Sequence, residues 1–112
     1  MDRPEPYRNL IKQQIRRYVD SFSDADSDVQ EVAVFDDENG NYQWLSIGWE
    51  NDKRAFYTHL YIRLYDNKIW IEKDTTEDGI ATELVRQGVP REDIVLAFHP
   101  PYLRHLTDFA AA

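Results

Sequence analysis

The chain has 112 residues, with 13 Lys plus Arg against 21 Asp plus Glu and a net charge of −8, and its pI is near 4.7. That length allows one domain, residues 1–112, large enough for a core without metals or crosslinks, and the absence of cysteine excludes disulfides, a thiolate nucleophile and a Cys-based zinc site. No apolar run approaches the roughly 18 to 20 residues that cross a bilayer, and the first residues lack the apolar stretch of a signal peptide, so a cytoplasmic protein with no membrane contact is expected. An acidic chain repels phosphate backbones at long range. Here, however, the charge is local. Eight acidic residues, Asp20, Asp24, Asp26, Asp28, Glu31, Asp36, Asp37 and Glu38, fall in a window without Lys or Arg, while Arg3, Arg8, Lys12, Arg16 and Arg17 precede it.

From Tyr7 the apolar residues recur at Leu10, Ile11, Ile15, Tyr18, Val19 and Phe22, the three-and-four spacing of an amphipathic helix. Ser23 to Asp28 is a run of turn formers that ends it. A strand over Val29 to Asp36 follows, then the Asn39-Gly40 turn, a second strand over Tyr42 to Trp49, a turn at Glu50 to Lys53, and a third strand over Ala55 to Tyr65. The third strand alternates cleanly, with Phe56, Thr58, Leu60, Ile62 and Leu64 expected on one face. Asp66-Asn67 turns into a fourth strand, Lys68 to Lys73. Short turns between consecutive strands predict an antiparallel meander. Thr75-Thr76 is expected to cap a second helix, with Glu77 and Asp78 at its positive end and Gly88 with Pro90 stopping it. Ile94 to Phe98 reads as a short buried strand or extended piece, and Pro100-Pro101 opens a last helix through His105. The sum is an α+β domain: N-terminal helix, four-stranded antiparallel meander, and C-terminal helices packed with the first on one sheet face.

The other sheet face then carries Tyr57, His59, Tyr61, Arg63 and Tyr65, joined by Trp70 and Glu72. Tyr, Trp and Arg together resemble interface composition. A second core layer beneath the C-terminal segment, or stacking of single-stranded nucleic acid, are the alternatives, the last lacking flanking basic residues. Arg8, Lys12 and Arg16 form a basic stripe on the first helix, either a solvated face or a surface for an acidic partner, including the acidic loop of a second copy.

Candidates for chemistry are few. Asp24, Asp26 and Asp28 have the spacing that begins a calcium loop, but Val29 stands where the turn needs Gly and Phe35 where a bidentate Glu is needed, so a solvated acidic loop is expected. His59, His99, His105 and Asp108 have no specific metal spacing, and no metal or cofactor is expected. There is no nucleophile elbow and no phosphate-cradling glycine loop. No catalytic residue is assigned, and a non-enzymatic protein is expected.

Several blocks are specific in order and spacing: Tyr7-Arg8-Asn9-Leu10-Ile11, Gln43-Trp44-Leu45-Ser46-Ile47-Gly48-Trp49, Lys68-Ile69-Trp70-Ile71, Ile80-Ala81-Thr82-Glu83-Leu84-Val85, Gly88-Val89-Pro90, and Asp93-Ile94-Val95-Leu96-Ala97-Phe98-His99-Pro100-Pro101-Tyr102. Together they resemble the XisI-like family, proteins similar to the controlling factor for excision of the fdxN DNA element in heterocyst-forming cyanobacteria. The resemblance implies an accessory factor acting with a recombinase and with a companion, XisH, that looks nuclease-like. DNA contact would then be indirect. Direct DNA binding, or an antitoxin-like regulation of the companion, are the alternatives it leaves open. The resemblance carries over no catalytic residues. Phe98 to Tyr102 is either a partner contact or a Pro-fixed corner that docks the last helix.

Overall fold

A computed structural model describes residues 4–112; Met1, Asp2 and Arg3, the last counted above among the basic N-terminal residues, lie outside the described part. Helix α1 (Pro4–Phe22) precedes strands β1 (Val29–Asp36), β2 (Asn41–Glu50), β3 (Lys53–Tyr65) and β4 (Lys68–Asp74). Helix α2 (Ile80–Arg86), a 3-10 turn at Arg91–Asp93, β5 (Ile94–Leu96) and α3 (Pro101–Arg104) complete it. No helix among the described residues is long and apolar enough to cross a membrane.

The turns follow from residues that tolerate positive φ. Asp66 and Asn67 lie at φ 54° and 62°, the left-handed pair that lets a two-residue hairpin match strand twist. Gly48 answers a different need, because β1 enters the sheet hard against it. A Cβ there would lie 2.1 Å from the Asp28 carbonyl oxygen and 2.8 Å from the Val29 Cα.

Two expectations about the sheet are corrected. It is five-stranded and mixed, in the order β1-β2-β3-β4-β5, because β5 pairs in parallel with β4 through Ile69 with Ile94 and Ile71 with Leu96. A parallel neighbour requires a crossover, and α2 with the following turn supplies it; three residues are too few to display a strand period in sequence. The second helix begins at Ile80, so Thr75 to Asp78 form a loop and not its first turn. The cap comes from Asp74 at the end of β4. One carboxylate oxygen accepts from Thr76 N at 2.8 Å and the other from Ile80 N at 2.7 Å. A carboxylate reaching across the loop satisfies the helix start better than hydroxyls on the loop itself.

The core lies between the sheet and α1 with α2. Ile11, Ile15, Leu60, Ile62, Ile69, Ile71, Ile80, Leu84 and Ile94 are fully buried, each worth about 1.5–3 kcal/mol of transfer free energy. Helix α3 departs from the expected single layer. It buries no residue, and its Arg104 guanidinium lies 5.6 Å from the centroid of Trp70, whose neighbours Ile69 and Ile71 point the opposite way into the core. One turn of helix led by two prolines is too short to bury an apolar stripe. Arg104 also donates to the His99 and Ala97 carbonyls at 2.9 and 3.2 Å, which ties α3 to the Phe98 to Tyr102 segment, where Phe98 and Tyr102 are exposed.

Two stability measurements check this packing. Gly48→Ala is expected to lower the urea midpoint at unchanged m-value, a loss of about 1–3 kcal/mol, because backbone must move to admit the methyl. Gln14 is buried and its Nε2 has no partner among the described residues. Gln14→Met is expected to raise the melting temperature by a few degrees, since it removes about 1 kcal/mol of uncompensated desolvation.

Candidate functional site

The register between β2 and β3 slips once. Trp44 pairs with Leu60 but Leu45 pairs with Thr58, leaving His59 as the extra residue of a bulge. Side chains alternate along a strand, so the slip exchanges the two faces of the N-terminal half of β3. Tyr57 now pairs with Ser46 on the α1 side, while Phe56 pairs with Ile47 and turns outward, 62% exposed. The expectation that Tyr57 and His59 share a face with Tyr61, Arg63, Tyr65 and Trp70, and that Phe56 and Thr58 face the core, is therefore corrected.

The displaced residues help to line a cleft of about 550 Å³. Tyr18 and Phe22, four apart on the last turns of α1, reach over Trp44, with ring centroids 5.2 and 5.3 Å away. Trp44 also stacks with His59 at 4.3 Å, and Tyr57 meets His59 edge-on at 4.8 Å. The rim is the Thr75 to Asp78 loop held by Asp74. On the floor, the Glu31 side chain, only 10% exposed, accepts at Oε1 from the Trp44 indole N–H at 2.8 Å and from the Ser46 hydroxyl at 2.7 Å. The Ser46 Oγ lies 2.6 Å from His59 Nε2.

Ser46 has one proton to donate. Given to Glu31, it leaves the Oγ to accept from His59 Nε2–H, which selects that tautomer and turns Nδ1 toward the Thr75 hydroxyl, 3.4 Å away. This differs from a Ser–His–acid relay, in which the carboxylate holds the imidazole nitrogen remote from the serine. Here the carboxylate and the serine sit on the same side, Glu31 Oε1 being 4.0 Å from Nε2. Ser46 is also 2% exposed, so its Oγ is not presented to a substrate. Ser46 thus bridges Glu31 and His59 on the floor of the cleft.

Glu31, Ser46, Trp44, Tyr18 and Phe22 were not among the residues expected to form a site. A signal for two of them existed: Glu31 and Ser46 both occupy the inward phase of their strands, among Ala33 and Phe35 on one and Tyr42 and Trp44 on the other.

Across the sheet, Tyr61, Arg63, Tyr65 and Trp70 do stay together. Arg63 lies 4.8 Å from the Tyr65 ring centroid, and Tyr65 meets Trp70 edge-on at 5.7 Å. The face continues to Trp49 and Phe56, both exposed, with the Arg54 guanidinium 5.3 and 5.5 Å from their rings. The basic stripe is largely engaged within the chain. Lys12 pairs with Asp37 at 2.9 Å, Arg8 contacts Glu5 and donates to the Tyr42 hydroxyl at 3.0 Å, and Arg16 covers the Phe35 ring at 5.0 Å. In the acidic loop, Asp24 accepts from Asp26 N at 2.9 Å, a local turn. No group of three or more His, Asp or Glu suited to a metal occurs among the described residues.

Burial pushes the His59 imidazole below its ordinary value; Glu31 opposes this and Lys73 adds to it. The folded protein therefore favours neutral His59, and the unfolded chain binds a proton first as pH falls from 6.5. Stability from this group is present above that pH and is lost on acidification. Unfolding free energy is expected to decline as the pH falls below 6.5, and His59→Gln is expected to flatten that decline in urea titrations at stepped pH.

The sequence matches the family described as XisI protein over residues 1–111. Among solved structures, an XisI-like protein from Anabaena variabilis ATCC 29413 superposes with a TM-score of 0.92 at 36% identity, covering 97% of this chain and 99% of that one. The fdxN element excision controlling factor XisI from Anabaena variabilis ATCC 29413 superposes with a TM-score of 0.87 at 37% identity, covering 99% of this chain and 100% of that one. No curated protein matches. The chain belongs to the XisI family.

Proposed function

We propose that this chain is a non-enzymatic controlling factor for excision of a DNA element, and that it acts by binding a companion protein similar to XisH. The end-to-end likeness to a solved excision controlling factor is the observation that carries the reading. Two features of the chain are consistent with binding as its mode of action. The hydroxyl of Ser46 is covered and tied to a carboxylate, and the outer sheet face exposes Trp49, Phe56 and Tyr65 beside arginines. Contiguous exposed aromatics rimmed by charge mark protein interfaces more often than they mark a bare surface. The companion engages Tyr61, Arg63, Tyr65 and Trp70 on that face. Direct duplex binding through Arg8, Lys12 and Arg16 is disfavoured because Asp37 and Glu5 already neutralise the first two, and phosphate contacts need free cations. A recombinase, where it takes part, is reached through the companion, in the cytoplasm.

Co-expression and capture test the reading. The companion is expected to co-purify with the wild-type chain, and Tyr61→Ala with Arg63→Ala is expected to weaken capture at least about tenfold while leaving the melting temperature near wild type, because the pair is partly exposed. Failure of the companion to co-purify overturns the partner. Undiminished capture by the double variant overturns the surface. Salt-dependent retention of duplex DNA that disappears without Arg8, Lys12 and Arg16 supports direct DNA binding instead.

A further inference from the structure

The cleft on the α1 side of the sheet is separate from the outer face assigned to the companion, and its chemistry is more selective. Its ionisable lining comprises Glu31, Glu77, Asp78, His59 and the phenols of Tyr18 and Tyr57, with no lysine or arginine. Glu31 is the decisive group. Its side chain is nine-tenths buried, and both hydrogen bonds it accepts go to Oε1, from Trp44 and Ser46. No donor among the described residues reaches Oε2. A largely buried carboxylate is costly unless its charge is matched, and Glu31, a lining residue of this cleft, keeps vacant acceptor capacity at Oε2.

The walls above it are aromatic. Phe22 is 61% exposed and Tyr57 47% exposed, which leaves ring faces free, whereas Trp44 is buried under its neighbours. Aromatic rings and carboxylates together favour a cation. Between the two common protein cations, guanidinium is planar, stacks on rings and loses less hydration on entering a partly dry cleft than ammonium does. It also has several donors, and the Glu77 and Asp78 carboxylates belong to the same lining as Glu31. A free small cation would leave Phe22 and Tyr57 exposed, whereas a polypeptide carrying the side chain covers them.

We propose that this cleft is a docking site for an arginine side chain of a protein partner, seated between Phe22 and Tyr57 with its guanidinium on Glu31 Oε2. The site rests only on this chain acting through protein partners, and it can be tested without the companion. A capped Gly-Arg-Gly peptide is titrated into the full chain and followed by two-dimensional NMR, alongside Gly-Lys-Gly and the citrulline analogue. The arginine peptide is expected to shift the Trp44 indole N–H and the His59 ring signals with a Kd on the order of 1 mM. The citrulline peptide, which has the shape without the charge, is expected to be silent, and the lysine peptide several-fold weaker. Glu31→Gln, close in shape and still able to accept from Ser46, is expected to weaken the arginine response at least tenfold. Tyr57→Ala, at the rim and outside the core, should weaken it several-fold with an unchanged melting temperature.

Equal responses to arginine and citrulline, an unchanged response in Glu31→Gln that still melts like wild type, or no response at about 10 mM peptide each overturn the site. Dimerisation of the chain alone that Glu31→Gln abolishes in sedimentation overturns the assignment to a different protein, since the arginine would then come from a second copy. In the companion assay, loss of capture in Glu31→Gln supports the site; failure of wild type to capture the companion counts against the proposed function, and the peptide titration alone then decides the site.

Discussion

The single unpaired residue at the β2–β3 bulge determines which side chains meet in the cleft. Without the slip at His59, Ser46 would face Thr58 and the α1 side of β3 would be plain core, with Phe56 under the helix and Tyr57 in solvent. With it, His59 and Tyr57 turn toward Tyr18 and Phe22. A β-bulge re-aims side chains while the ladder on either side remains paired. The remaining geometry depends on that rotation: His59 can reach Ser46, Ser46 can reach Glu31, and Glu31 can be buried on an edge strand because Trp44 and Ser46 both donate to it.

The rim depends on a second local device. Asp74 ends β4 and binds both the Thr76 and Ile80 amides, so the loop that borders the cleft is anchored to the sheet at one end and to α2 at the other. The same loop begins the crossover that brings β5 back parallel to β4. Mixed topology and cleft therefore share one carboxylate, that of Asp74.

Charge takes a different form in three dimensions from the one it has along the chain. The acidic window and the basic helix sit beside one another, and Asp37 lies between Lys12 and Arg8. These contacts are exposed and each contributes little to stability. Their effect is on recognition, since they reduce the free positive surface of α1 while leaving the acids of the β4–α2 loop unopposed around the cleft.

Much of the architecture was legible in the residues. The helical spacing from Tyr7 to Phe22, the turn residues at Asn39-Gly40 and Asp66-Asn67, and the apolar phases of β2 and β4 are short-range properties, set by side-chain alternation and by the few residues that accept positive φ. The family blocks rest on order and spacing and needed no coordinates. Strand register does not have this property. A bulge changes no residue's intrinsic preference; it changes only which partner lies opposite, and that is decided by how the hairpin packs beneath α1. The parallel docking of three-residue β5, the departure of α3 to the other face and the cap from Asp74 likewise join residues through contacts that local periodicity does not encode. The sequence by itself determined the elements, their order and the family. Tertiary packing alone decided that Glu31, Ser46, His59 and Tyr57 share a cleft, because only long-range register specifies the face on which a strand residue points.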